Sequence, residues 1–269
     1  MIDPRQPEGD LNTLPVLATI RYWWWWASHD LAYLKRVGQT GRIDARLVRS
    51  IAKDYGIARG IRKEKNDLDG EINAERATRI AEAVNRHHNK FIACDVMTDR
   101  FNLCLEIVDK LSRGSDEHDR LTHYDFVSGV TKLSWFIAPN GWTMFDRLAA
   151  ESLGIKSGTA RKKAAKFYER LIKSEFDALA KEMNAALEQD SLASEHFHAE
   201  RIVDQYLWLS ATDLTGRLLI TDKIGAFLDA IGLEQSRRLL KMGRTIESGF
   251  GGRLQDLVSE RHKTSRTNY

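Results

Sequence analysis

The sequence predicts an all-α protein of ten or more helices, and three observations carry that prediction. Prolines are few: Pro4, Pro7 and Pro15 lie near the N-terminus, Pro139 stands alone later, and none occurs from 16 to 138. Strand-rich folds usually need more turn punctuation than this. Alternating β-branched runs are scarce. Apolar residues recur instead at helical spacing.

The elements follow in order. Residues 15–37 read as a helix with Pro15 in its first turn and Leu17, Ile20, Trp24, Leu31 and Leu34 at helical intervals. Ile43, Leu47, Ile51 and Tyr55 place a second helix at 42–55. Ile72, Ala77, Ile80 and Val84 place a third at 71–89, and Leu103, Ile107 and Leu111 a fourth at 100–112. A polar loop, 112–118, follows. It is the expected boundary between an N-terminal lobe, 1–112, and a second lobe, 119–269, with a ligand cleft expected between them. Short helices are expected at 121–128 and 131–138, then Pro139-Asn140-Gly141, then a helix at 142–153 closed by Gly154. Phe167, Leu171, Phe176, Leu179 and Met183 predict one long helix over 159–188, and 195–260 holds three or four more.

Composition narrows the function classes. Of 269 residues, 42% are hydrophobic and 29% charged, as in ordinary globular proteins. No apolar run reaches the length of a membrane helix, and the first fifteen residues do not read as a signal peptide. Two cysteines, Cys94 and Cys104, make no disulfide framework and lack CxxC spacing. A cytoplasmic, reducing setting is the expectation. No metal or cofactor is assigned: His196 and His198 are two apart, His87 and His88 are adjacent, and neither pair has the spacing of helical metal ligands. The P-loop, the dinucleotide-binding glycine fingerprint and the G-x-S-x-G elbow are missing from the sequence.

The net charge is only +3, but cations cluster. Arg59, Arg62, Lys63 and Lys65 form one group; Arg161, Lys162, Lys163 and Lys166 a second; Arg237, Arg238, Lys241 and Arg244 a third; and the tail from Arg261 to Arg266 a fourth. Any one is a solvated helix face or an anion contact. Four together suit a polyanion such as DNA. Gly56 and Gly60 flank the first group behind Asp54-Tyr55, a pattern that suits phosphate contact through Arg59, Arg62 and Lys63. Four consecutive tryptophans, Trp23 to Trp26, point in four directions around a helix. They belong to a helix buried on most sides or to a wedge for a nucleic acid or partner.

The richest stretch runs from Tyr124 to Leu153, YDFVSGVTKLSWFIAPNGWTMFDRLAAESL. It reads as a tight turn at Ser128-Gly129-Val130-Thr131, a helix with Lys132 near its start, a Pro-Asn-Gly loop, and a segment delivering Asp146 at the next helix. This resembles the helix–hairpin–helix DNA glycosylase superfamily, and more closely the bacterial proteins of 8-oxoguanine DNA glycosylase fold. The resemblance covers about 30 of 269 residues. It implies a hairpin element over 119–153, with Ser128, Gly129, Val130 and Thr131 gripping a DNA phosphate. It implies a target base flipped out of the duplex and excised. Asp146 then supports cleavage of the N-glycosidic bond, and Lys132 attacks the sugar C1′. The sequence departs from the family in three ways. Thr131 stands where a second hairpin glycine is common. Lys132 and Asp146 are only 14 residues apart. No cysteine cluster for an iron–sulfur site follows.

The chemistry stands without the family. Cleaving an N-glycosidic bond builds positive charge on the sugar, which a nearby carboxylate stabilises where water is excluded. A lysine amine forms a Schiff base only when unprotonated, which desolvation by Leu133, Trp135 or Phe136 would favour. An extruded base needs aromatic faces, and Trp135, Trp142, Phe145 and Trp208 are the candidates. The bland alternatives are an exposed or phosphate-binding Lys132, an Asp146 that complements a helix dipole, and tryptophans that simply fill the core. At the level of function, a non-catalytic helical DNA-binding protein and a protein-interaction module using the tryptophan cluster are the rivals to a glycosylase.

Overall fold

The computed structural model describes residues 11, 13–58, 61, 74–113, 126–189 and 196–259. The described residues are helical with no strand. None of their helices is long and apolar enough to cross a membrane. In chain order the helices are α1 (Leu14–Trp25), α2 (Leu31–Thr40), α3 (Ala45–Asp54), α4 (Ala74–Asn85), α5 (His88–Ile92), α6 (Met97–Ser112) and α7 (Val127–Trp135). There follow α8 (Arg147–Ser152), α9 (Ala160–Lys173), α10 (Phe176–Gln189), α11 (Ala199–Ala211), α12 (Leu214–Ala230) and α13 (Leu233–Ser259). A π-helical turn, Trp26–Asp30, joins α1 to α2.

The chain forms two compact units. One holds the described residues of His29–Phe145 and Ser157–Glu169, the other those of Met1–Ser28, Asp146–Lys156 and Arg170–Tyr269. The expected division at 112–118 is therefore corrected, because α6 and α7, on either side of that loop, pack on each other in one unit.

In the His29–Phe145 unit, α7 is the central helix and packs on α3, α4 and α6. Of its residues only Ser128 is not buried. The sequence explains the surroundings. In α3, Leu47, Val48, Ile51 and Ala52 form one buried stripe. Asp44 caps that helix by accepting from the Leu47 N–H at 2.7 Å and pairs with Arg36 at 2.5 Å. Burial of the Asp44 carboxyl opposes ionisation, but the Leu47 amide and the Arg36 guanidinium outweigh it and hold its pKa below the usual range.

In the other unit, α11 is central and packs on α1, α8, α10 and α13. Gly243 of α13 lets that helix close on α1, since a Cβ there would stand 2.9 Å from Val16 Cγ1 and 3.1 Å from Val16 Cα. The four tryptophans are packed rather than free. Trp23 and Trp24 lie 6.0 and 5.7 Å from the Phe227 ring of α12, and Trp26 is buried with its indole N–H donating to the His196 carbonyl at 2.9 Å.

Helix boundaries shift in two informative places. The long helix expected over 159–188 breaks at Ser174-Glu175, where Glu175 adopts φ 51° and α10 starts afresh. The helix expected at 142–153 begins only at Arg147, because Trp142–Phe145 run non-helically and Asp146 is extended at φ −127° and ψ 143°. Gly154, at φ 80°, follows its end as the sequence expects.

Candidate functional site

The expected hairpin is a helix. Ser128, Gly129, Val130 and Thr131 lie inside α7, and Lys132 stands in its last turn, not its first. The reason is Phe126. Its ring lies so close over Gly129 that any Cβ there would overlap it. The glycine therefore admits a ring rather than bending the chain.

The polar side chains of this segment have a different task from the phosphate grip the sequence suggests. Ser128 Oγ donates to the Phe145 carbonyl at 3.1 Å, and the Phe145 N–H donates to Thr131 Oγ1 at 3.2 Å. α7 thus fixes the backbone of Phe145, the residue just before Asp146. Arg100, buried in α6, donates to the carbonyls of Cys94, Ala138 and Asn140 and so ties down the Pro139-Asn140-Gly141 loop. Trp142 N–H donates to the Ala138 carbonyl at 2.5 Å, and its ring stacks 6.2 Å from both Phe91 and Tyr168. Trp135, Trp142 and Phe145 are buried. Their expected role as base-stacking faces is corrected to core packing: each lies against neighbouring rings and leaves no face open. Trp208, half-buried in α11, carries the Arg21 guanidinium 4.2 Å from its ring centre.

Asp146 is the N-cap of α8, where its Oδ1 accepts from the Leu148 N–H at 2.9 Å. It is half-buried. Lys132 is only 6% exposed, and its Nζ donates to the Tyr55 carbonyl at 3.5 Å. Lys132 and Asp146 fall in different units, so each is described by itself. Arg59, Arg62 and Lys63 lie outside the described residues.

Around Lys132 the structure gathers residues that the motif alone does not mark. Tyr55 hydroxyl donates to Asp30 Oδ1, and Asp30 is fully buried. Tyr33 hydroxyl donates to Asp54 Oδ2, and His29 Nε2 lies 4.0 Å from the same oxygen. The Tyr33 and Tyr55 rings meet the Phe136 ring edge-on at 5.6 and 5.9 Å. Burial first, then the hydrogen bond to Asp54 and the charges of Asp54 and Asp30, push the Tyr33 phenol far above its ordinary pKa, so it stays a donor. The cluster grades from interior to surface: Asp30 and Lys132 are buried, while His29, Tyr33, Asp54 and Tyr55 are half-exposed. His29 and Asp30 come from the π-helical turn, a departure from regular helix found often at functional sites. The sequence did carry a signal for Asp30. It precedes the buried Leu34 and Val37 at helical spacing, so a carboxylate stands on an apolar stripe.

No family model, no curated protein and no solved structure matches the chain.

Such an arrangement provides a buried primary amine, two carboxylates each holding a phenol, and an imidazole at the rim. Burying an amine and a carboxylate costs several kcal/mol each unless they are paired and hydrogen-bonded. Among the described residues, no group of three or more His, Cys, Asp or Glu is placed to hold a metal ion.

Proposed function

We propose that the protein is a DNA glycosylase-like enzyme that excises a damaged or modified base and leaves an abasic site. The observation that carries the reading is the near-complete burial of Lys132 inside a carboxylate–phenol–imidazole cluster. An amine held out of water is the form a lysine nucleophile needs. The resemblance of 124–153 to the helix–hairpin–helix glycosylases supports the same reaction, and so does the N-cap position of Asp146, an acidic residue at the start of a helix.

In this reading the Lys132 nitrogen bonds to C1′ of the target nucleotide. The C1′–N bond breaks, and the base leaves with the electron pair and takes up the proton that the amine sheds. Asp146 stabilises the positive charge that develops on the sugar. The departures from the ordinary repair motif direct the substrate search toward bases that repair enzymes rarely meet, such as modified bases in bacteriophage DNA, and hence toward a role in defence.

A second reading, a non-catalytic DNA-binding protein, is favoured by the burial of Trp135, Trp142 and Phe145 together with exposed cations on the first turns of α9, Lys162 and Lys166. Abasic-site formation on duplexes carrying oxidised, alkylated, deaminated or phage-type bases separates the two. The enzyme reading expects product with wild type and none with Asp146→Asn. Salt-sensitive DNA binding without abasic sites, unchanged in Lys132→Ala and Asp146→Asn, supports the second reading instead.

A further inference from the structure

α13 contains Gly243, Gly249, Gly251 and Gly252, and each glycine inside a helix costs about 1 kcal/mol relative to alanine. Gly243 is explained by its approach to Val16. The others are not explained by packing. A Cβ at Gly249 or Gly252 would meet nothing within 4 Å, and one at Gly251 would make only ordinary contacts, 3.9 Å from Glu247 Cγ and Pro15 Cγ.

Gly251 and Gly252 form part of the lining of an open groove of about 600 Å³ within the unit that holds α1, α11 and α13. Pro15 and Tyr206 contribute ring walls, and Glu247 and Gln255 bring polar ends. Among the described residues, the side chains of Glu247 and Gln255 have no hydrogen-bond or ion-pair partner. Tyr206 is buried except at the groove, and burial raises its phenol pKa against a weaker opposing effect of the Ser210 hydroxyl. An ionised carboxylate only accepts hydrogen bonds, so the complementary ligand must donate. A floor without side chains admits a flat ring against the helix backbone. Adjacent N–H donors on one ring edge match a carboxylate's two oxygens.

We propose that this groove binds a planar nitrogen heterocycle that presents adjacent N–H donors, the pattern of the guanine edge, with Glu247 accepting from that edge. The inference does not depend on the base-excision reading, since it concerns other residues in the other unit.

The test is calorimetric titration of the full chain with guanosine, inosine and adenosine. Inosine lacks the exocyclic donor, and adenosine lacks the ring N–H donor as well. Guanosine is expected to bind at least tenfold more tightly than either. Glu247→Gln is expected to remove that preference. Gly251→Leu is expected to abolish binding by filling the groove while leaving the melting temperature unchanged or higher, because leucine favours helix. No guanosine binding at millimolar concentration, equal affinity for the three nucleosides, or full binding by a folded Gly251→Leu variant would each overturn the proposal.

Discussion

Asp146 and Lys132 separate two kinds of residue effect. Asp146 accepts from the Leu148 amide as a helix cap, and asparagine makes the same bond. Asp146→Asn is therefore expected to hold stability within a few tenths of a kcal/mol while abolishing base excision. Asp146→Ala loses the cap as well, at about 1 kcal/mol. Urea unfolding beside an abasic-site assay checks both, and an active Asp146→Asn would remove the carboxylate from the mechanism. His198 makes a pH prediction. Burial, then His196 and Arg201, push its pKa down to about 4 from an ordinary 6.5. The folded chain thus takes up this proton later than the unfolded chain as pH falls. Stability is complete above pH about 6.5, declines as pH falls toward 4, and is lost by an amount on the order of 3 kcal/mol. Thermal melting across this window should show the decline in wild type and a flatter profile in His198→Asn.

Among the elements, α7 shows most clearly what the sequence could and could not convey. Its existence was legible from Val127, Val130 and Leu133, but its start was not. Ser128-Gly129 reads as a turn because glycine is the commonest turn residue, whereas here it makes room for the ring of Phe126, a tertiary fact. Gly129→Ala is expected to destabilise by about 1–3 kcal/mol through overpacking despite alanine's better helix propensity. A stabilised Gly129→Ala in urea unfolding would show that the ring yields freely. The break between α9 and α10 was equally hidden, since the apolar stripe runs on through Phe167, Leu171, Phe176 and Leu179 and nothing local announces the positive φ of Glu175. The π-helical turn is a third case. It presents His29 and Asp30, and only the misplaced charge on an apolar stripe hints at it.

At the scale of the whole molecule, the all-helical class followed from proline scarcity and periodicity, because both are properties of the chain alone. The partition did not, because it depends on which helices pack together: residues 146–156 and 170–259 join the N-terminal helix, while 157–169 join the other unit. The same limit applies to the candidate site. Lys132 and Asp146 could be named from one segment, whereas the residues around Lys132 come from α2, α3 and the π-helical turn, far apart in sequence. The central claim is that this buried amine is a working nucleophile and not a structural cation. Borohydride trapping on a duplex from which the wild type releases a base tests it most directly. The account expects a covalent protein–DNA adduct with wild type and none with Lys132→Ala. Equal adduct in Lys132→Ala, or base release by wild type without any adduct, would contradict it.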